Sequence, residues 1–377
     1  MLPTAVRAPA AAVLLLAACA TSPAPPPPHT IAAITFHPEI AAEGAAAARI
    51  LYQDGALPTP VPGGTLWTFG DTFLGTRHAD RSPAYSGDRS NTIAWLPAGE
   101  RGLPPKLRYL CDASGVASPP LALLASEDSK TRRLWPLAGV HLGERSYMFY
   151  GRIDVTGPGP WGFRPVGTGL AVSDTPFAPY RRLEPPNASG WPIDPTSIVV
   201  HDGWLWLYAP RRFHGEHDVR SGLLIARVRP ADIERPERYE FFAGSNGGAV
   251  AWTSRLDDAV AAAEDVWGQA CVAWHDEVSA FVLATSSNFF RHDGICLRRS
   301  PTPFGPWTPL GPDDGWITVP ERPGETTQLI YCTMLHPELD APGARTTTLT
   351  FCRMLKRDWA FTNPEVVRIE WAAPSGR

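Results

Sequence analysis

Helical periodicity is almost missing from this 377-residue chain. Few windows repeat apolar residues every three to four positions, which argues against a helix-built fold. The best helical candidate is the Ala-rich run from Leu256 to Glu264, with Asp257 and Asp258 near its start. Basic runs and basic–aromatic stripes are also missing. Lys and Arg number 34 against 38 Asp and Glu, for a net charge of -4. The electrostatic footprint of a nucleic-acid partner is therefore lacking. No Cys-x-x-Cys pair and no His/Cys spacing points to zinc. No cofactor is expected on these grounds, and an axial metal ion stays open.

What is present is 44% hydrophobic residues, 14 Trp and 41 Pro. Short runs rich in Trp, Tyr, Val and Leu alternate with Pro and Gly turns, the pattern of an all-β protein. A unit recurs five times: a short strand, a turn, then an apolar strand with a polar end. The copies are Tyr52–Gly55 with Leu66–Asp71, Leu134–Leu137 with Tyr147–Tyr150, and Trp191–Asp194 with Trp204–Tyr208. Val266–Gln269 with Ala280–Leu283 and Leu329–Cys332 with Thr348–Phe351 complete the set. Five long units predict a five-bladed β-propeller, with inner strands beginning near Tyr52, Trp135, Ile193, Gly268 and Tyr331. Strands such as Trp204–Tyr208 are apolar at every position, as expected of a strand covered on both faces. A second repeat, Ser173–Tyr180 against Ser300–Trp307, shares Ser, Thr-Pro-Phe, Pro and an aromatic in order. It predicts an outer turn in units two and four.

Residues 1–18 read as a lipoprotein signal peptide. Arg7 supplies the positive charge, Ala10–Ala18 is apolar, and Leu16-Ala17-Ala18-Cys19 resembles a lipobox with Cys19 as the acylated residue. An ordinary signal peptide with an incidental Cys is the competing reading. Residues 19–30 form a Pro-rich tether and 31–377 a single domain. Ala20 follows Cys19 where an inner-membrane retention signal would place Asp. The expectation is an outer-membrane lipoprotein, held to the membrane by its lipid and facing the periplasm or the outside. Disulfides are permitted there. Cys332 and Cys352 fall on adjacent strands and either pair or remain buried thiols.

Antiparallel blades bring the start of each first strand and the end of each second strand to one rim. The predicted rim groups are Asp54, Pro136, Asp194, Gln269 and a position near Thr333, with Asp71, Arg152, Arg211, Asn288 and Arg353. Carboxylates can do acid/base work on a glycosidic bond, and Arg or Asn can hold hydroxyls or a carboxylate. Trp67, Trp135, Trp191 and Trp267 lie close enough in sequence to stack on sugars. The structural alternative for Asp54-Gly55, Asp71-Thr72 and Asp194-Pro195 is a set of turns and caps. His336, in His336-Pro337-Glu338-Leu339, reads as a structural turn.

Asp54-Gly55, Gly70-Asp71-Thr72-Phe73, Asp194-Pro195-Thr196 and His336–Leu339 resemble domain-of-unknown-function family 4185 over about Ile31 to Glu370. That family is similar to five-bladed propeller glycosidases, including arabinanases, xylosidases and levanases, and some relatives act on arabinofuranan in cell envelopes. The resemblance implies a glycoside hydrolase with Asp54 as base or nucleophile and Asp194 as the group that tunes the proton donor. Such enzymes usually bring a Glu to the rim, and no inner strand here starts with one. Glu127, Glu264 and Glu325 in loops, or Asp71, are the candidate donors. Two further readings remain: a carbohydrate-binding lipoprotein without turnover, and a partner-binding propeller.

Overall fold

The computed structural model describes residues 30–373 except 38–42, 81, 160, 178, 213–220, 247–248, 287–293, 312–313 and 357–361. The predicted signal peptide, Cys19, most of the tether and Asn288 lie outside the described residues. Among the described residues the only α-helix is Glu43–Ala47, and strands carry the rest of the architecture.

Five antiparallel sheets follow one another along the chain. Their first strands are Leu57–Val61, Arg132–Leu142, Ser197–His201, Trp267–His275 and Thr327–Leu335. Each first strand pairs with the next strand in its sheet and packs beside the first strand of the following sheet. The fifth packs back against the first, so the sheets close a ring in the manner of propeller blades. Closure is reinforced at the periphery. The N-terminal strand Ile31–His37 completes the fifth sheet by pairing with the C-terminal strand Glu365–Trp371.

The core has the same five-fold plan. One apolar cluster fills each gap between neighbouring blades. Leu66 and Ile93 meet Leu134 and Met148 between blades 1 and 2. Phe149 and Leu170 meet Leu205 and Leu207 between 2 and 3. Tyr208 and Ile225 meet Val272 and Leu283 between 3 and 4. Val282 and Leu297 meet Met334 and Phe351 between 4 and 5. Trp67 and Phe69 meet Leu339 and Val366 between 5 and 1. Strand alternation sends Leu205, Leu207 and Ala209 to one gap and Trp206 and Tyr208 to the other. This is why the run from Trp204 to Tyr208 has no polar face. Each such side chain contributes about 1.5–3 kcal/mol through burial.

The Ser-Thr-Pro-Phe repeat makes the outer turn it predicts. Ser173 Oγ accepts from the Thr175 amide at 3.3 Å, and Ser300 Oγ from the Thr302 amide at 3.1 Å. Phe177 and Phe304 lie against the clusters between blades 1 and 2 and between blades 3 and 4.

Two expectations need correction. The Leu256–Glu264 run is not a helix. After the single turn Leu256–Asp258 the chain extends, because its amides find partners on blade 3 instead: Val260 N–H donates to Phe242 O and Ala262 N–H to Leu223 O. The inner strand of blade 1 also begins later than Tyr52. Ile50–Gln53 belongs to a separate three-stranded sheet with Thr72–Arg77 and Pro83–Arg89. That sheet stands beside blade 1, and the chain passes from it through Asp54 into Leu57–Val61.

Candidate active site

Each blade delivers a short irregular segment at the start of its first strand. Asp54 and Asp194 each stand three residues before the first ladder residue, Leu57 and Ser197, and Tyr331, itself paired with Cys352, precedes a break in the blade 5 ladder that resumes at Met334. Freed from their own ladders, these segments bond to the adjacent blades. Trp135 Nε1 donates to Asp71 Oδ1 at 3.0 Å, joining blade 2 to blade 1. The Ala138 amide donates to Pro195 O at 2.8 Å. Thr196 Oγ1 donates to Ala270 O at 2.6 Å. The Cys332 amide donates to Gln269 Oε1 at 3.2 Å. Cys332 Sγ lies 3.4 Å from Asp54 Oδ1, joining blade 5 to blade 1. The polar ring at one end of the inner strands is thus continuous around the axis.

Asp54 and Asp71 face each other across a short backbone bridge. The Asp54 amide donates to Asp71 O at 3.0 Å, and the Gly70 amide to Asp54 O at 2.7 Å. Both side chains remain partly open to solvent. Burial, and then the Asp71 charge, pushes the Asp54 carboxyl up to about 7, against the opposing pull of the Cys332 thiol. Burial raises Asp71 to about 6, while the Trp135 hydrogen bond and the Arg133 charge hold it down. Tyr331 places its hydroxyl near enough to interact with the Asp54 carboxyl, which it helps to hold down.

Asp194 occupies the matching position on blade 3. Its side chain is open to solvent, yet the surrounding protein raises its carboxyl to about 6, with Arg211 opposing. An accessible carboxylate crowded by protein sits in a depression rather than on a convex surface. A hydrogen bond from its own backbone and the Arg211 charge limit the lift.

The other predicted residues divide. Trp135 is at the site, and Gln269 bridges blades 4 and 5 beside it. Arg211 acts on Asp194 and also donates to Leu256 O at 3.1 Å. Arg152 Nη2 donates to Ala188 O at 2.5 Å, pinning the loop that leads toward Asp194. Arg353 is a correction: it is 1% exposed, and its guanidinium grips Glu365 at 2.8 and 3.2 Å, so it is a core ion pair. The flanking strands of its own blade bring Thr327 and Glu365 over it, which strand register alone does not reveal. Trp67 and Trp191 are core residues, whereas Trp267 is half-buried. His336 is structural, as its turn suggests. It stacks 3.9 Å from Trp67 and shares Glu338 with the indole N–H. Glu127 cannot serve as donor, since it is held by Arg182 on the outermost strand of blade 2. Glu264 and Glu325 stand exposed on loops.

Sequence reasoning missed Tyr331, Cys332, Arg133 and Asp88. Arg133 pairs with Asp88 next to Asp71. The signal for Tyr331 and Cys332 was their place in the fifth repeat, equivalent to Asp54-Gly55.

Similar folds occur among solved structures. A Bacteroides ovatus protein, solved at 2.80 Å, is 18% identical with a TM-score of 0.60, covering 86% of this chain and 87% of its own. The GH43_1 enzyme from Xanthomonas citri, complexed with xylotriose, is 17% identical with a TM-score of 0.46, covering 86% and 88%. An alpha-L-arabinofuranosidase from Podospora anserina, in complex with cellotriose, is 10% identical with a TM-score of 0.47, covering 91% and 98%. No curated protein matches. The family whose model matches is not the numbered family expected from the short motifs. Residues 52–347 match the domain of unknown function DUF5005, and the chain belongs to that family.

Proposed function

We propose that this protein is a glycoside hydrolase acting on a polysaccharide or cell-envelope glycan, including arabinofuranose-containing ones. The observation that carries the reading is the Asp54–Asp71 pair: two carboxyls in one partly open recess, each raised into the range where one holds a proton while the other is ionised. Glycoside hydrolysis needs that combination, an acid for the leaving oxygen and a carboxylate for water or the anomeric carbon. In the singly protonated pair the proton rests on Asp54, whose carboxyl is raised further, so Asp54 takes the donor role left open by the lack of a rim Glu and Asp71 that of base or nucleophile, the reverse of the role the family resemblance implies for Asp54. Asp194 and Arg211 hold the substrate side of blade 3, and Trp135 orients Asp71. The test is release of new reducing ends from a panel of furanose and pyranose polysaccharides by chelator-treated protein. Glycan binding without release would instead favour the binding-protein reading.

The anchoring proposal rests on Leu16-Ala17-Ala18-Cys19. Cys19→Ala should leave an unprocessed, unlipidated precursor in a membrane fraction analysed by mass. A mature mass unchanged from wild type would remove Cys19 as the acylated residue.

A further inference from the structure

Ring closure gathers three potential metal donors that the chain keeps far apart. Cys332 lies in the bulge of blade 5 with φ 51°, in the left-handed region that few side-chain-bearing residues adopt. Cys352 stands opposite Tyr331 on the adjoining strand. Both are buried and carry free thiols. Asp54 arrives from blade 1, 278 positions from Cys332 in sequence. Its carboxylate oxygen and the two sulfurs all lie within 4.8 Å of one another.

The spacing suits a small tetrahedral dication. Sulfur at about 2.3 Å and oxygen at about 2.0 Å from zinc, at the tetrahedral angle, stand about 3.5 Å apart. Cys332 Sγ and Asp54 Oδ1 are 3.4 Å apart. An outer layer is also in place. The Gly55 amide donates to Cys352 Sγ at 3.2 Å, the kind of bond that steadies a thiolate, and Gln269 holds the Cys332 amide. The Tyr331 hydroxyl points the same way. It lies beside the Asp54 carboxyl and both thiols and is shielded from solvent.

We propose that Asp54, Cys332 and Cys352 bind a thiophilic dication of the zinc class, with the fourth position open to a water that Tyr331 hydrogen-bonds. Two metal–sulfur bonds and one metal–oxygen bond form, and the two thiol protons, with the Asp54 proton where that carboxyl is protonated, leave to solvent. Sulfur donors select against calcium and magnesium. An ion here occupies the carboxylate assigned to hydrolysis, so loading silences that step. The binding itself does not depend on whether the protein hydrolyses glycans.

The probe is Co2+ alone, added without oxygen to full-length protein that has been reduced with a phosphine and stripped by a chelator. One equivalent should produce a near-ultraviolet sulfur-to-cobalt charge-transfer band with the visible bands of tetrahedral cobalt, and Zn2+ should bleach both. Cys352→Ser should weaken the charge-transfer band. Asp54→Asn, at a partly open position, should keep the band and lose at least tenfold in affinity. Wild-type protein that gives no sulfur-to-cobalt band overturns the proposal whatever the variants do. A band that survives unchanged in a folded Cys352→Ser protein, checked by circular dichroism, overturns it as well.

Discussion

Replacing Asp54 by Asn should make the protein more stable and less active at once. Asn is nearly isosteric and keeps an oxygen to accept from the Cys332 thiol. The native state holds the Asp54 carboxyl at about 7 against an ordinary 3.8, chiefly because burial disfavours the charge. The folded form therefore binds a proton that the unfolded chain has already released above pH 4. Stability from this group is complete below about pH 4 and is lost as pH rises through about 7. A displacement of about three units corresponds to about 4 kcal/mol at 1.36 kcal/mol per unit. Partial solvent access and the shared titration with Asp71 reduce this to about 2–4 kcal/mol. The Asn variant carries no such loss. Urea unfolding of metal-free protein at pH 5 and pH 8 should show the variant ahead at both, with the gap about 1.5–3 kcal/mol wider at pH 8. Hydrolysis should fall roughly 10²–10⁴-fold. A gap that stays constant with pH, or a variant less stable at pH 8, would refute the claim that burial holds a proton on Asp54.

Two further outcomes follow from the same geometry. The pH dependence of kcat/KM in chelated protein should be bell-shaped, with limbs near 6 and 7 belonging to the Asp54–Asp71 pair as a unit. Activity falls below the lower limb as the pair takes a second proton, and above the upper as it loses the last; a flat profile from pH 5 to 8 would contradict the assignment. Arg353→Met should cost about 3 kcal/mol in unfolding experiments, because buried Glu365 keeps only Arg322 as an ion-pair partner, while the glycan affinity of the folded protein stays unchanged. Weakened glycan binding at preserved stability would return Arg353 to the rim.

The legible part of the fold lay in covered strands and turn chemistry. Trp204–Tyr208 announced a strand buried on both faces, and the matching Ser-Thr-Pro-Phe turns announced equivalent blades. Asp54 and Asp71 were legible because both sit where a strand gives way to a polar end. Where sequence failed, the cause was contact between segments that the local pattern does not show. Arg353 has the register of a rim residue, but Glu365 and Thr327 close over it. The Leu256–Glu264 run has helical composition, but the open side of blade 3 offers its amides better partners. The Asp54–Cys332–Cys352 cluster exists only because the last blade docks on the first, and no spacing along the chain encodes that.

The most direct test of the account is Asp71→Asn assayed beside wild type on the polysaccharide that wild type cleaves best. Trp135 Nε1 can still donate to the Asn oxygen, so the pair should keep its geometry while losing its ionised carboxylate. Glycan affinity near wild type with hydrolysis reduced roughly 10²–10⁴-fold is the predicted result. Hydrolysis at the wild-type rate would show that the Asp54–Asp71 pair is not the catalytic machinery of this propeller.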